Sequence, residues 1–187
     1  MKILLPIFLV MLLISGCSTV PLATPQNCQS PCVLKTNSDN IKATYQVQHD
    51  RLIVDLSGRT TGWVAIGFGA THYMKDAYIV MGYIDEKGKP VISNEFGDGY
   101  VSHKSVELLG GKPNIELISG DFKDGWTSIK FSIPLKLENN NYAKTFESGE
   151  TMKVLVAYGP DGAKNFTTIH AFKTITSINL KDIPTTK

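Results

Sequence analysis

The strongest constraint on the fold is a hydrophobic pattern that repeats every second residue from residue 41 onward. Apolar and polar side chains alternate through residues 41–47, and the alternation returns at 52–56, 127–133 and 152–158. A period of two is typical of half-buried β-strands, because successive side chains point to opposite faces of a sheet. No segment carries a convincing helical period. The pattern therefore predicts an all-β, antiparallel sandwich or barrel.

Two segments, residues 63–68 and 77–83, are apolar on both faces. A strand of this kind lies centrally in a sheet, with one face on the core and the other covered or lining a pocket. Turn sequences rich in glycine and aspartate separate the strands, at residues 85–88, 97–99, 123–125 and 159–162. We expect eight or more short strands, with a long loop over residues 135–149.

The N-terminus predicts export and lipid attachment. Lys2 precedes an apolar run over residues 3–14, which is too short for a membrane-spanning helix of about 20 residues. The run ends in Ile-Ser-Gly before Cys17, which resembles the lipobox of bacterial lipoproteins. This resemblance implies that residues 1–16 are a signal peptide and that Cys17 is acylated. Ser18 then favours the outer membrane, if the host has one. The alternative is an ordinary secretory signal in which Cys17 is incidental.

The remaining chain divides into a leading segment at 17–40, a sandwich domain at 41–182 and a short tail at 183–187. Residues 18–26 contain two prolines and few apolar side chains, which is typical of a tether. Cys28 and Cys32 are a cysteine pair that outside the cytoplasm would be oxidised to a disulfide. Metal binding is the alternative, although no second cysteine pair completes a zinc site.

Charge and motifs exclude several function classes. The chain has a net charge of +2 with no basic cluster, so we expect no nucleic-acid partner. Hydrolase and nucleotide-binding motifs are absent from the sequence, and we expect that the protein is not an enzyme by itself. The four histidines match no zinc spacing. No Cys-x-x-Cys-His sequence is present, which excludes covalent c-type haem attachment.

One block combines a buried strand that ends in glycines, Gly62-Trp-Val-Ala-Ile-Gly-Phe-Gly69, with a methionine and a second buried strand at residues 74–82. The block resembles the DOMON family. The resemblance implies an immunoglobulin-like β-sandwich of about nine or more strands, which in haem-binding members holds noncovalent haem b between a methionine and a histidine. Met74 matches the methionine, and His170, which lies 96 residues later, matches the histidine by position.

The resemblance implies extracytoplasmic electron transfer with an unidentified redox partner. Thioether and imidazole ligands suit low-spin iron that exchanges single electrons, and they leave no open position for dioxygen. We expect aromatic side chains on the second faces of the doubly apolar strands and nearby loops to wall the haem pocket. The candidates are Phe68, Tyr73, Tyr78, Tyr100 and Phe172.

Three alternatives stay open. His72 is a rival axial ligand, since it lies two residues from Met74. A haem-free sandwich could instead recognise a sugar or another small molecule, because aromatic platforms beside amide groups suit such ligands. The candidate residues for that function are Trp126, Asn139, Asn140 and Asn141. An accessory lipoprotein with a purely structural role is the third alternative.

Overall fold

The computed structural model describes residues 34–137, 140–147, 149–183 and 185–186. Cys17, Cys28 and Cys32 lie outside these ranges, so the predictions made for them stay predictions. The strands are β1 Leu34–Asn37, β2 Ile41–Gln48, β3 Arg51–Gly58, β4 Val64–Phe68, β5 Tyr78–Ile84, β6 Pro90–Phe96, β7 Lys104–Ser105, β8 Glu116–Lys123, β9 Trp126–Pro134, β10 Thr151–Tyr158, β11 Phe172–Asn179 and β12 Thr185–Thr186. A single 3-10 turn spans Leu180–Asp182 within the described ranges. No helix there has the length and hydropathy needed to cross a membrane.

The strands form two sheets that pack face to face. Sheet A has the order β1-β2-β3-β9-β8, with β12 also paired to β2, and sheet B has the order β11-β10-β4-β5-β6-β7. Every pairing between described strands is antiparallel except that of β12 with β2. This arrangement confirms the predicted antiparallel β-sandwich. It also confirms that the two doubly apolar segments are central, since they form β4 and β5.

The sandwich extends beyond the predicted limits of 41–182 at both ends. Strand β1 begins at Leu34 and pairs with β2, and β12 lies inside the predicted tail and pairs with the same strand. Both additions are short and join the sheet through backbone hydrogen bonds. A hydrophobic pattern does not indicate such bonds, so these two short strands were not predicted.

The core lies between the sheets and explains the alternation in the sequence. In β2 and β3 every second side chain is buried, for example Tyr45 and Val54, and sheet B contributes Ile66 from β4 and Val154 from β10. Burying a side chain of this size stabilises the fold by about 1.5–3 kcal/mol. The core therefore fixes which face of each strand points outward.

Candidate functional site

The outward face of sheet B carries a second apolar cluster. In β4, Val64, Ile66 and Phe68 face the core, whereas Ala65 belongs to the cluster on the opposite side. The register places Gly67 of β4 between Ile79 of β5 and Leu155 of β10, and Leu155 beside Ile175 of β11. We call this surface the outer apolar face. Its members are Ala65, Gly67, Ile79, Met81, Leu155, Ala157 and Ile175.

The outward face of sheet A is different in character. The outward residues of β2, β3 and β9 are mostly polar, with Ile53, Trp126 and Pro134 as the apolar exceptions, and Ser57 and Ser128 form a hydrogen bond of 2.9 Å there. A sheet face in contact with water is expected to be polar, as sheet A is. The outer apolar face of sheet B breaks this rule. Its centre is nevertheless buried, since Ala65, Ile79 and Met81 are 2–7% exposed, and its partly or largely exposed members are Leu155, Ala157 and Ile175.

Residues 69–77 connect β4 to β5 and form the methionine loop. The backbone N–H of Met74 donates to the carbonyl of Tyr100 at 3.1 Å, and the Met74 carbonyl accepts from the N–H of Ala77 at 3.0 Å. Thr71 closes the loop, because its hydroxyl donates to an Asp76 carboxylate oxygen at 2.6 Å. Met74 is thus held at both its N–H and its carbonyl, and its side chain is half-buried.

The methionine loop also stores backbone strain. Tyr73 and Asp76, on either side of Met74, have positive φ values of 52° and 63°, and only two other described non-glycine residues share this feature. Such conformations cost about 1–3 kcal/mol each and persist where the surrounding structure enforces them, which is common at functional sites. Gly97 of the adjacent loop allows the fold, because a Cβ there would overlap the Met74 carbonyl oxygen.

Residues 159–171 connect β10 to β11 and form the histidine loop. Its start is anchored to the residues before β4. Thr60 Oγ1 donates to the Gly159 carbonyl at 2.8 Å, and the Thr61 N–H donates to Asp161 Oδ1 at 2.8 Å. The hydrogen bonds from Thr61 hold the pKa of Asp161 below its usual value. His170 ends the loop, is half-buried, and lies two residues before β11.

The two loops lie at opposite ends of β4. The methionine loop follows Phe68, whereas the histidine loop follows Tyr158, which pairs with Val64 at the start of β4. Along β4, the backbone positions of Val64 and Phe68 are about 13 Å apart. Ala70 and Ala77 of the methionine loop, and Ala163 of the histidine loop, join the same outer cluster. Met74 and His170 are therefore placed at the two ends of one face and are not brought into mutual contact.

Three of the five predicted pocket aromatics point away from this face. Phe68 and Tyr78 are fully buried in the core between the sheets, and Phe172 packs against that core with its ring stacked on Tyr158. The Tyr78 hydroxyl hydrogen-bonds to the Asn114 side chain, and burial raises the pKa of Tyr78. The prediction that these three wall the outer face was wrong, because strand alternation assigns them to the inner side.

The other two predicted aromatics do flank the methionine. Tyr73 and Tyr100 are 74% and 58% exposed, and their ring centroids lie 6.3 Å apart in an edge-to-face arrangement. His72, the rival ligand, is exposed beside the Tyr100 ring. His103 has a defined partner, since its Nδ1 lies 3.1 Å from the Glu95 carboxylate and its side chain is 21% exposed.

The predicted sugar neighbourhood is not assembled. Trp126 opens β9, whereas Asn140 and Asn141 follow the other end of that nine-residue strand, and Asn139 lies outside the described residues. Trp126 instead lines an open groove of about 410 Å³ on sheet A, with Lys42 Nζ 4.3 Å from its ring centroid. The remaining lining residues are Ser57, Asp121, Lys123, Asp124 and Ser128.

Sequence reasoning missed two features near the methionine loop. Gly97 was read only as part of a turn, although its lack of a side chain admits the Met74 carbonyl. Glu95, which pairs with Ile79 in sheet B, is buried. Its carboxylate accepts a hydrogen bond from the Ser93 hydroxyl at 2.5 Å and lies 3.1 Å from Nδ1 of His103. No motif signals this pair, because its members meet only through β6–β7 pairing.

Comparison with known proteins agrees with the geometry. The model of the DOMON domain matches residues 37–159. The cytochrome b domain of pyranose dehydrogenase from Coprinopsis cinerea superposes with a TM-score of 0.58 at 13% identity, over 76% of this chain and 77% of that one. The cytochrome domain of cellobiose dehydrogenase from Myriococcum thermophilum gives 0.59 at 15% identity, over 81% and 84%. These similarities show a shared fold, and the family match, which spans well over half of the sequence, establishes that the chain belongs to the DOMON domain family.

Proposed function

We propose that the domain binds noncovalent haem b on the outer apolar face, with Met74 and His170 as axial ligands. The observation that supports this proposal is that the loops carrying Met74 and His170 leave opposite ends of the paired strands β4 and β10, beside the outer apolar face. A planar apolar group held between the two ligands would pack against the exposed part of that face, Leu155, Ala157 and Ile175. The haem-binding relatives named above make this group the first to test.

The donor set fits haem. Within the described ranges, no three histidine, cysteine, aspartate or glutamate side chains gather as a metal site would require. A porphyrin supplies four nitrogen ligands of its own and needs only two from the protein. One thioether and one imidazole suit low-spin iron and raise its reduction potential, so bound haem would exchange single electrons.

The residues around the ligands have defined tasks in this proposal. The methionine loop holds the Met74 backbone through Tyr100 and Ala77, so the thioether needs little further ordering to bind. Trp63 packs under the start of the histidine loop, where a Cβ at Gly159 would lie 2.6 Å from its indole ring. Leu155 and Ile175, which stay partly or largely exposed, provide the apolar side chains that the group would contact.

The wider role is electron transfer outside the cytoplasmic membrane. We infer that acylated Cys17 anchors the chain, that residues 18–26 form a tether, and that the domain moves between a donor and an acceptor protein. With both axial positions filled, the domain carries electrons and performs no substrate chemistry by itself.

The test is spectroscopic. The full chain is exported with a supply of haem, purified in detergent, and its absorption is recorded before and after dithionite. We expect a Soret band that shifts on reduction, with sharp α and β bands. Met74→Ala and His170→Ala lose that six-coordinate pattern, whereas His72→Ala retains it. A colourless protein that also fails to take up added hemin contradicts the proposal.

One observation favours the haem-free alternative, a domain that binds a small polar molecule. The groove beside Trp126 combines an indole ring with two lysines and two aspartates. Quenching of Trp126 fluorescence by mono- and oligosaccharides tests this function. A saturable change that Trp126→Phe abolishes, in a protein that does not bind hemin, would make this function the leading one.

A further inference from the structure

Two lysines project from the solvent-facing edge of the outer apolar face. Lys153 of β10 lies two residues before Leu155, and Lys173 of β11 lies two residues before Ile175, so strand alternation directs all four side chains outward. Both lysines are exposed. Lys153 Nζ lies 3.5 Å from the Thr71 carbonyl at the methionine loop, and Lys173 lies three residues after His170.

Neither lysine has an ionic partner. None of the ion pairs between described residues involves Lys153 or Lys173. The carboxylates of the two adjoining loops have hydrogen-bond partners, because Asp76 accepts from the Thr71 hydroxyl at 2.6 Å and Asp161 accepts from the Thr61 N–H at 2.8 Å. The edge of the outer apolar face therefore carries two positive charges that form no ion pair with a described residue.

Lysines on the other sheet are differently placed. Lys42 lies over the Trp126 ring, and Lys130 lies opposite Asp55 in the β3–β9 register, where it lowers the pKa of that carboxyl against the larger effect of burial. The combination of an apolar floor with unpaired cations at its open edge is thus specific to sheet B. It matches a ligand that is apolar over most of its surface and carries anionic groups at one edge.

We propose that Lys153 and Lys173 bind the two propionate carboxylates of the haem. This inference rests on the proposed function, because the same face must hold the macrocycle. It assigns each lysine a separate carboxylate, since their Cα atoms lie about 14 Å apart across the β10–β11 pair. In this arrangement Met74 and Lys153 lie toward one end of the face, and His170 and Lys173 lie toward the other.

The test compares hemin with its dimethyl ester, which has the same macrocycle but no carboxylates. The apo chain is titrated with each, and the Soret change gives a dissociation constant. Exposed ion pairs are worth up to about fivefold in affinity, so we expect Lys153→Gln and Lys173→Gln each to weaken hemin binding about threefold, and the double variant about tenfold. Binding of the ester stays unchanged. Lys123→Gln, on sheet A, is the matched control and alters neither.

Charge-retaining variants separate recognition from folding. Lys153→Arg and Lys173→Arg keep hemin affinity, and the loss in the Gln variants shrinks in high salt because exposed charges are screened. Equal weakening of hemin and ester binding would assign the lysines a structural role. Unchanged hemin affinity in the double variant would show that they serve only to keep the edge strand soluble. Either result overturns the inference while haem binding stands, and failure to bind both compounds overturns the two proposals together.

Discussion

Replacing Gly97 with alanine tests whether the methionine loop is held by close backbone contact. A Cβ at Gly97 would overlap the Met74 carbonyl oxygen and lie 2.6 Å from the carbonyl carbon. Both atoms belong to the backbone, so no side-chain rotation relieves the overlap and the loop itself must move. Gly97 is not one of the described glycines with a positive φ. Alanine therefore meets no backbone penalty at this position, and the cost of the substitution is steric.

The size of the effect follows from the contacts that the shift disturbs. Overpacking costs about 1–3 kcal/mol. Two backbone hydrogen bonds would also be disturbed, from the Asp76 N–H to the Gly97 carbonyl at 2.8 Å and from the Gly97 N–H to the Ala77 carbonyl at 2.9 Å. Losing each would lower the free energy of unfolding by about 1 kcal/mol. A total of about 3–5 kcal/mol lowers Tm by about 6–20 °C for a domain of this size. We also expect the methionine ligand to be displaced, so that the haem spectrum loses its low-spin form.

Thermal unfolding followed by circular dichroism and the reduced absorption spectrum measure both effects. Gly88→Ala is the control, because Gly88 has a φ of +73° with no atom within 4 Å of its would-be Cβ. Alanine at this left-handed position costs about 1–2 kcal/mol without any clash, and the Gly88→Ala variant should keep the haem spectrum unchanged. A Gly97→Ala protein that melts within 2 °C of the original chain and keeps its low-spin spectrum would refute the reasoning.

Three further predictions concern single side chains. Thr71→Val removes the hydroxyl that closes the loop on Asp76, and hemin titration should give an affinity about threefold weaker, with Thr44→Val on sheet A unaffected. Tyr78→Phe leaves the Asn114 amide oxygen unpaired, so urea unfolding should show a free energy of unfolding lower by about 1–2 kcal/mol. Hemin affinity, measured by titration, should stay constant, and weaker hemin binding would show that Tyr78 does contribute to the haem pocket. Burial raises the pKa of Asp55, so its ionisation opposes folding as pH rises above about 4. Asp55→Asn should therefore raise Tm at pH 7 but not at pH 3.5. An equal rise in Tm at both pH values would show that ionisation of Asp55 is not the cause.

Much of the fold was predictable from residue periodicity. The alternation around Tyr45, Val54 and Val154 and the doubly apolar segments gave the strands, their class and the central position of β4 and β5. Short strands such as β1 and β12 escaped prediction, because backbone pairing leaves little trace in a hydrophobic pattern.

The candidate site was predictable in part. Met74 and His170 fall in loops at opposite ends of the paired strands β4 and β10, and their role as ligands stays a prediction. The pocket aromatics were harder, because a doubly apolar strand gives no indication of which face is the core. Only the register assigns Phe68 and Tyr78 to the inside. The role proposed for Lys153 and Lys173 could not be predicted from the sequence, because only the pairing of β10 with β11 brings them to the same face as Ile175.

The most direct test of the account is an NMR measurement of axial methionine ligation. The chain has five methionines, of which Met1 and Met11 lie in the proposed signal peptide, so carbon-13 labelling of the exported chain gives three methyl signals, from Met74, Met81 and Met152. In the reduced, haem-loaded chain, the ring current of the porphyrin shifts an axial methionine methyl far upfield. We predict one such signal, absent from the apo chain and from Met74→Leu. A haem-loaded chain with no upfield methionine methyl, or one whose upfield signal survives in Met74→Leu, would contradict the central claim.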